Sequence, residues 1–171
     1  MYVTLGTVHN QTTGLIESIV AALGRGAYNL LVTIGEARDP DEFGPQSSTV
    51  HIERYVPQGA ILPRCDAVVC HGGSGTLIGA LAHGLPMLII PLDADQFWSA
   101  KRLSALGAAA TLHVPEVNGD SIRAAMHRVL STPDYRERAA EIQADIAAMP
   151  PPIEVARVFE ARLPTWSGRP S

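Results

Sequence analysis

The stretch from Asp66 to Gln96 reads DAVVCHGGSGTLIGALAHGLPMLIIPLDADQ and decides the class of fold. A short apolar run ends at Cys70, and a glycine-rich turn covers His71 to Thr76. A helical pattern opens near Ser74, ends at Gly84 and is followed by a second apolar run. A strand, a helix and a strand in this order form the crossover unit of a parallel sheet.

The same alternation extends over the rest of the chain. Short apolar runs alternate with segments whose apolar residues recur every three or four positions. This pattern predicts an α/β domain in which a parallel sheet of about six strands carries helices on both faces. The predicted strands are Tyr2–Leu5, Leu30–Ile34, Val50–Tyr55, Asp66–Cys70, Met87–Ile90 and Ala109–Leu112.

Helix signals set the boundaries of the domain. Thr132 and Pro133 are typical of a helix start, with Thr132 as the N-cap. Two apolar stripes have the spacing of one buried helix face: Leu15, Ile19, Val20 and Leu23, and later Tyr135, Ala139, Ile142, Ile146 and Met149. A last helix is predicted over Ile153–Leu163, so we expect one domain over residues 1–163 and a frayed tail over residues 164–171.

The length and composition disfavour several classes of protein. A chain of 171 residues with 46% apolar and 18% charged residues can bury a core and is not a disordered polar chain. Its 13 basic and 17 acidic residues give a net charge of −4, which disfavours nucleic-acid binding. Prolines interrupt the longest apolar run, and no basic region precedes an apolar core at the start, so we expect neither a membrane span nor a secretory signal.

The cysteines and the paired aspartates do not indicate a metal site. Cys65 and Cys70 lie in apolar surroundings without a CxxC pattern, so we expect reduced core thiols in a cytoplasmic protein. Asp93 and Asp95 form a DxD pattern, which also occurs in divalent-cation sites, but no further acidic cluster lies near it. The sequence therefore predicts that no metal ion is required.

The turn His71–Thr76 is a candidate site for a phosphate. Glycines let a ligand approach the backbone, and the first amides of a helix have no helical partner and lie at its positive end. Ser74 and Thr76 add hydroxyl groups, and the ring of His71 can donate to a phosphate oxygen. A turn of this kind can also serve only to connect a strand tightly to a helix, so both interpretations stay open.

Two further segments are expected at the same edge of the sheet, where ligands of open α/β sheets bind. Gly6 and Thr7 follow the first strand, and Asp95 with Gln96 follows the fifth. Carboxylate and amide groups suit sugar hydroxyls, which both donate and accept hydrogen bonds. Asp95 is also placed to cap the helix that begins at Gln96.

Together these motifs resemble the donor-binding signature of nucleotide-sugar-dependent glycosyltransferases with the GT-B architecture, in which two Rossmann-like domains face each other. The chain is most similar to the bacterial, family 1-like enzymes that glycosylate natural products. The resemblance rests on Gly6 and Thr7, YVPQ at Tyr55–Gln58, HGGSGT at His71–Thr76, GLP at Gly84–Pro86, and Asp95 with Gln96. It extends from Tyr2 to about Leu163 and implies a Rossmann-like domain, the C-terminal, donor-binding half of such an enzyme.

The resemblance implies a role for each matched residue. The diphosphate would bind Thr7, His71, Gly73, Ser74, Gly75 and Thr76, the base or ribose would bind Tyr55, Val56 and Gln58, and the sugar hydroxyls would bind Asp95 and Gln96. The reaction implied is transfer of a hexose or deoxyhexose from a dTDP- or UDP-sugar to a hydroxyl of a natural-product acceptor, with inversion at the anomeric carbon. No metal or other cofactor is implied.

Two positions depart from the pattern of the family. Gly79 stands where relatives that use UDP-glucose carry a glutamate that holds both ribose hydroxyls. A deoxyribose donor is therefore favoured, although a carboxylate elsewhere could still bind UDP. Trp98 and Ser99 occupy the region where the family often has an asparagine, which leaves the shape of the donor sugar open.

The family takes the acceptor proton with a histidine in the N-terminal half, so the resemblance assigns no catalytic residue to this chain. Neither His9 nor His71 receives that role. We expect the chain to bind the donor and to pair with an acceptor-binding domain, either in the same polypeptide or as a separate subunit. An isolated half with an exposed apolar face could also form a homodimer.

Two other functions agree with parts of the sequence. Gly73, Gly75 and Gly79 spell GxGxxxG after a strand, and Asp93 lies 20 residues beyond Gly73, which resembles an NAD(P)-binding domain. That fingerprint normally follows the first strand, whereas here it follows the fourth predicted strand. A non-catalytic nucleotide-sugar-binding subunit of a split enzyme would carry the same residues.

Overall fold

A computed structural model describes residues 1–6, 14–25 and 28–162. These residues contain one sheet of six strands, in which all neighbouring strands are parallel. The strands are β1 (Tyr2–Thr4), β2 (Leu30–Thr33), β3 (Val50–Glu53), β4 (Val68–Cys70), β5 (Met87–Ile89) and β6 (Ala109–Thr111). The predicted parallel sheet is therefore confirmed, with each strand one or two residues shorter than predicted.

The helices cover both faces of the sheet, as predicted. They are α1 (Leu15–Leu23), α2 (Gln58–Ile61), α3 (Ser74–Leu81), α4 (Gln96–Ala105), α5 (Gly119–Ser131), α6 (Pro133–Ala147) and α7 (Pro152–Arg162). Successive residues of a strand point to opposite faces, so Val3 packs in a core with α1 and α5, whereas Tyr2 packs in a second core with α3, α4 and α6.

The two C-terminal helices bury fewer of their apolar residues than the spacing of those residues predicted. α6 begins at Pro133 as predicted, but Thr132 at its N-cap makes no side-chain capping hydrogen bond. Ala139 is the buried residue of α6, and Met149, predicted to end the buried stripe, is 65% exposed. The residues of α7 are all exposed, and the predicted tail lies outside the described residues.

The cysteines are free thiols in different surroundings. Cys70 is fully buried, and burial raises its pKa to about 12, so its thiol stays protonated and unreactive. Cys65 is only partly buried, and burial raises its pKa as well. In residues 1–6, 14–25 and 28–162, side chains that could hold a metal ion do not cluster, and no helix is long and apolar enough to cross a membrane.

The order of the strands places the candidate site. The sheet runs β3-β2-β1-β4-β5-β6, so the chain turns from one side of β1 to the other between β3 and β4. Ligands of such sheets bind outside the carboxyl ends of the strands at this switch point. Because β4 lies between β1 and β5, the turns that follow these three strands meet at one edge.

Candidate functional site

His71 packs the turn after β1 against the turn after β4. It directly follows β4 and is buried. A β-carbon built on Gly6 would lie 2.7 Å from ring atom Cε1, and one built on Gly73 would lie 2.5 Å from ring atom Nε2. The same edge of the imidazole therefore contacts both glycines, and a side chain at either position would collide with it.

The glycine turn leads directly into the first turn of α3. Gly72 has a φ of +92°, which favours glycine, and Gly73 is the N-cap of α3 without a side-chain capping bond. Ser74 and Gly75 are exposed in the first turn of α3, where amides have no preceding carbonyl within the helix. These amides and the positive end of α3 give the turn the chemistry of an anion site.

Thr76 is bonded to a residue of a neighbouring predicted subsite. It is 6% exposed, and its Oγ1 accepts a hydrogen bond from Nε2 of Gln58 at 3.2 Å. The side-chain oxygen Oε1 of Gln58 lies 3.9 Å from the position that a β-carbon on Gly79 would take. The residues predicted to bind the diphosphate and the ribose are therefore neighbours in the fold.

A cavity of about 500 Å³ opens at the carboxyl ends of β1, β2 and β3. Tyr55, Val56 and Gln58 line it, so the predicted base and ribose residues share one cavity. Tyr55 is 66% exposed, and its ring is therefore accessible to a planar ligand. Gly6 lines the same cavity and so connects it to the turns that pack around His71.

Asp95 lies at the same edge as the glycine turn, because β4 and β5 are neighbours. It is exposed at the N-cap position of α4, but its carboxylate makes no capping hydrogen bond. The alternative role as a side-chain cap is therefore not realised. Ala94 before it has a φ of +53°, a conformation that is unfavourable for a residue with a side chain and is often found at functional sites.

Gln96 has a structural task that its sequence position did not indicate. Its side chain is 5% exposed, and Oε1 accepts hydrogen bonds from the amides of Leu92 at 2.8 Å and Asp93 at 3.1 Å. The side chain therefore holds the loop after β5 in place. Only Oε1 takes part in these bonds, so a role in ligand binding would fall to the NH₂ group.

Thr7 and His9 lie outside the described residues, so the structure places neither of them. Three buried hydroxyl groups that line the cavity were not predicted from the sequence, those of Tyr2, Thr4 and Thr33. A polar residue that ends an otherwise apolar strand is the signal that could have identified the two threonines.

Comparison with known proteins identifies the family. A family model described as the C-terminal domain of erythromycin biosynthesis protein CIII-like proteins matches residues 17–162. Demethyllactenocin mycarosyltransferase from Streptomyces fradiae is 30% identical over 161 residues, which are 94% of this chain and 35% of the relative. A 3-alpha-mycarosylerythronolide B desosaminyl transferase from Saccharopolyspora erythraea is 34% identical over 145 residues, 85% of this chain and 34% of the relative. The chain thus spans about a third of the length of these relatives.

Solved structures show the same fold. The glycotransferase of kitacinnamycin superposes with a TM-score of 0.87 at 30% identity, over 95% of this chain and 43% of that one. The glycosyltransferase VinC in complex with dTDP superposes with a TM-score of 0.83 at 28% identity, over 94% of this chain and 40% of that one. The chain has the Rossmann-like fold of one half of a GT-B glycosyltransferase and belongs to the family of erythromycin biosynthesis protein CIII-like C-terminal domains.

Proposed function

We propose that this chain is the donor-binding half of an inverting glycosyltransferase that moves a hexose or deoxyhexose from a dTDP- or UDP-sugar to a hydroxyl of a natural product. The proposal depends above all on one arrangement. The candidate anion site at the start of α3 lies at the same edge of the sheet as the carboxylate of Asp95, which makes no capping hydrogen bond. An anion site beside a group that binds hydroxyls suits a sugar diphosphate. The names of the mycarosyl and desosaminyl transferases and the VinC complex with dTDP support it.

In this proposal the donor extends along the carboxyl edge of the sheet from β3 to β5. The base lies against Tyr55 and Val56, and the ribose or deoxyribose lies near Gln58.

The diphosphate binds the start of α3 and the ring of His71, through Gly73, Ser74, Gly75 and Thr76, with Thr7 contributing from the turn after β1. The sugar hydroxyls bind the carboxylate of Asp95 and the NH₂ group of Gln96.

The chemical task of this half is to stabilise the leaving group. When the bond between the anomeric carbon and the β-phosphate oxygen breaks, negative charge develops on the diphosphate. We infer that this charge is stabilised by the amides at the start of α3 and by the ring of His71, which packs against Gly73. Since these donors belong to the protein, we propose that the reaction needs no metal ion or other cofactor.

The other half of the reaction requires an acceptor-binding domain, which we place in the same polypeptide or in a separate subunit. The chain spans about a third of its relatives, and α7 leaves Ile153, Val158 and Phe159 between 53% and 64% exposed. An apolar helix surface of this kind supports a protein partner, either the acceptor-binding half or a second copy. We further propose a cytoplasmic location, which agrees with the free thiols.

Calorimetric titration tests the proposal directly. We expect the chain to bind dTDP with a Kd in the micromolar range, because several charge-assisted hydrogen bonds of about 1.5 to 3 kcal/mol each would contribute. The same affinity is expected in the presence of EDTA. Asp95→Asn should leave dTDP binding unchanged and weaken binding of a dTDP-sugar. Absence of binding to both dTDP and UDP would refute the proposal, and tight binding of NADH would support the dinucleotide alternative.

The preference for the nucleotide can be tested at Gly79. Gly79→Glu is expected to increase the affinity for UDP relative to dTDP by about tenfold or more, because a carboxylate there would accept hydrogen bonds from both ribose hydroxyls. The substitution fits if the side chain of Leu62 moves slightly, since its Cδ1 lies 3.1 Å from the new β-carbon. Gly79→Ala is the matched control that adds the β-carbon alone, and we expect it to leave the ratio of the two affinities unchanged. An unchanged ratio in Gly79→Glu would show that the ribose lies elsewhere.

A further inference from the structure

Three buried hydroxyl groups line the cavity beside Tyr55. Tyr2, Thr4 and Thr33 are exposed by only 2%, 3% and 6% of their surface, and all three line the cavity. The hydroxyl of Tyr2 lies 2.8 Å from Oγ1 of Thr33, and Oγ1 of Thr4 accepts a hydrogen bond from the amide of Gly6 at 3.2 Å. We call Tyr2, Thr4 and Thr33 the hydroxyl floor.

The register of the sheet brings the hydroxyl floor to the carboxyl edge. Thr4 is the last residue of β1 and is paired with Thr33, the last residue of β2. Tyr2 is paired with Leu31, but its hydroxyl reaches Thr33, so its ring leans along the strands toward the same edge. Because residues two apart on a strand share a face, all three hydroxyls lie on one side of the sheet.

Two of the three hydroxyl hydrogens of the hydroxyl floor are not used in its internal hydrogen bonds. Each hydroxyl carries one hydrogen, and the contact between Tyr2 and Thr33 uses one of the two hydrogens of that pair. Thr4 is the acceptor in its contact with Gly6, so its own hydrogen is not used there. Within the described part of the chain, the three groups make no other hydrogen bond. Each hydroxyl thus already takes part in one hydrogen bond, and two hydrogens remain that a ligand or water in the cavity can accept.

We propose that the hydroxyl floor recognises the base of the sugar nucleotide, a pyrimidine whose two carbonyl oxygens accept these two hydrogens. The proposal rests on the proposed function and adds the element that distinguishes the base. A cavity of about 500 Å³ has room for a nucleoside, and the exposed ring of Tyr55 at its wall can stack on the base. Adenine accepts hydrogen bonds only at ring nitrogens, which do not lie where the two carbonyl oxygens of a pyrimidine lie, so we expect the hydroxyl floor to favour thymine or uracil over adenine.

Two substitutions that preserve shape test this role. Tyr2→Phe and Thr33→Val each remove a hydroxyl from the hydroxyl floor, and each is expected to lower the affinity for dTDP about tenfold. The affinity for inorganic pyrophosphate should stay within about twofold of wild type, and the wild-type preference for dTDP over ADP should decrease in both variants. Calorimetry with the 171-residue chain measures all three ligands.

Thr111→Val is the matched control. Thr111 also ends a strand, and its hydroxyl lies 2.8 Å from that of Ser104, but β6 is at the opposite end of the sheet from β2 and β3. We expect this variant to bind dTDP like wild type. Thermal unfolding of every variant separates a loss of fold from a loss of binding, and Tyr2→Phe keeps the buried ring if Thr33→Val fails to fold.

The outcomes distinguish this inference from the proposed function. If wild type binds dTDP and folded Tyr2→Phe binds it equally well, the hydroxyl floor does not recognise the base. A parallel loss of pyrophosphate affinity would also overturn the inference, because the substitution would then act on the turns that bind the diphosphate. Absence of dTDP binding to wild type would instead overturn the proposed function and the inference with it.

Discussion

Gly73→Val is expected to lower the affinity of the chain for dTDP by at least about a hundredfold, which corresponds to about 2.7 kcal/mol. A β-carbon on Gly73 would lie 2.5 Å from Nε2 and 2.8 Å from Cε1 of His71. These distances are shorter than van der Waals contact, so either the buried ring or the turn must move. A side chain here would occupy the space that a glycine leaves for a ligand beside the backbone, and it would also displace the imidazole.

Two glycines of the chain provide controls for this experiment. A β-carbon on Gly75 would have no heavy atom within 4 Å, so Gly75→Ala should fold like wild type and weaken dTDP binding only through contact with the ligand. The space around Gly59 is equally open, and Gly59 lies outside the glycine turn, so Gly59→Ala should change neither property. Urea unfolding and calorimetry measure both properties. Wild-type dTDP affinity in Gly73→Val would show that the turn only connects β4 to α3.

The sequence predicted the elements whose signals are local. The glycine turn after β4 and the start of α6 at Pro133 were predicted from adjacent residues, and the structure confirms both. Apolar spacing in α6 was less informative, because spacing defines a stripe but not the surface that covers it. Met149 has the right spacing and is nevertheless 65% exposed, beyond the C-terminal end of α6.

The candidate site was predictable as a set of residues but not as a set of contacts. Residue type indicated that Thr76 and Gln96 could bind a ligand, but it could not show that Gln58 and the loop after β5 already bond to them. The hydroxyl floor depends on the pairing of two strands, and the contact between Tyr2 and Thr33 joins residues 31 positions apart. Such a contact follows from strand order and register, which the sequence pattern leaves undetermined.

In the complete glycosyltransferase that we propose, with its acceptor-binding domain present, His71→Ala is expected to lower kcat by about 10²- to 10³-fold and to change the affinity for dTDP by less than about tenfold. The Nε2 edge of the ring faces Gly73, where α3 begins, so an N–H there can donate to the β-phosphate. Charge on that phosphate increases as the glycosidic bond breaks. The hydrogen bond is therefore stronger in the transition state than in the bound donor, and its loss reduces turnover more than binding.

The same ring also fills the space between Gly6 and Gly73, so its removal could act by loosening the two turns instead. His71→Leu retains apolar volume without a donor, and His71→Gln retains an N–H donor. If the hydrogen bond is responsible, His71→Leu should have a kcat as low as that of His71→Ala, while His71→Gln should recover part of it. Steady-state kinetics together with dTDP titration measure the two effects separately. Wild-type turnover in His71→Leu would show that the imidazole acts only as a spacer between the turns.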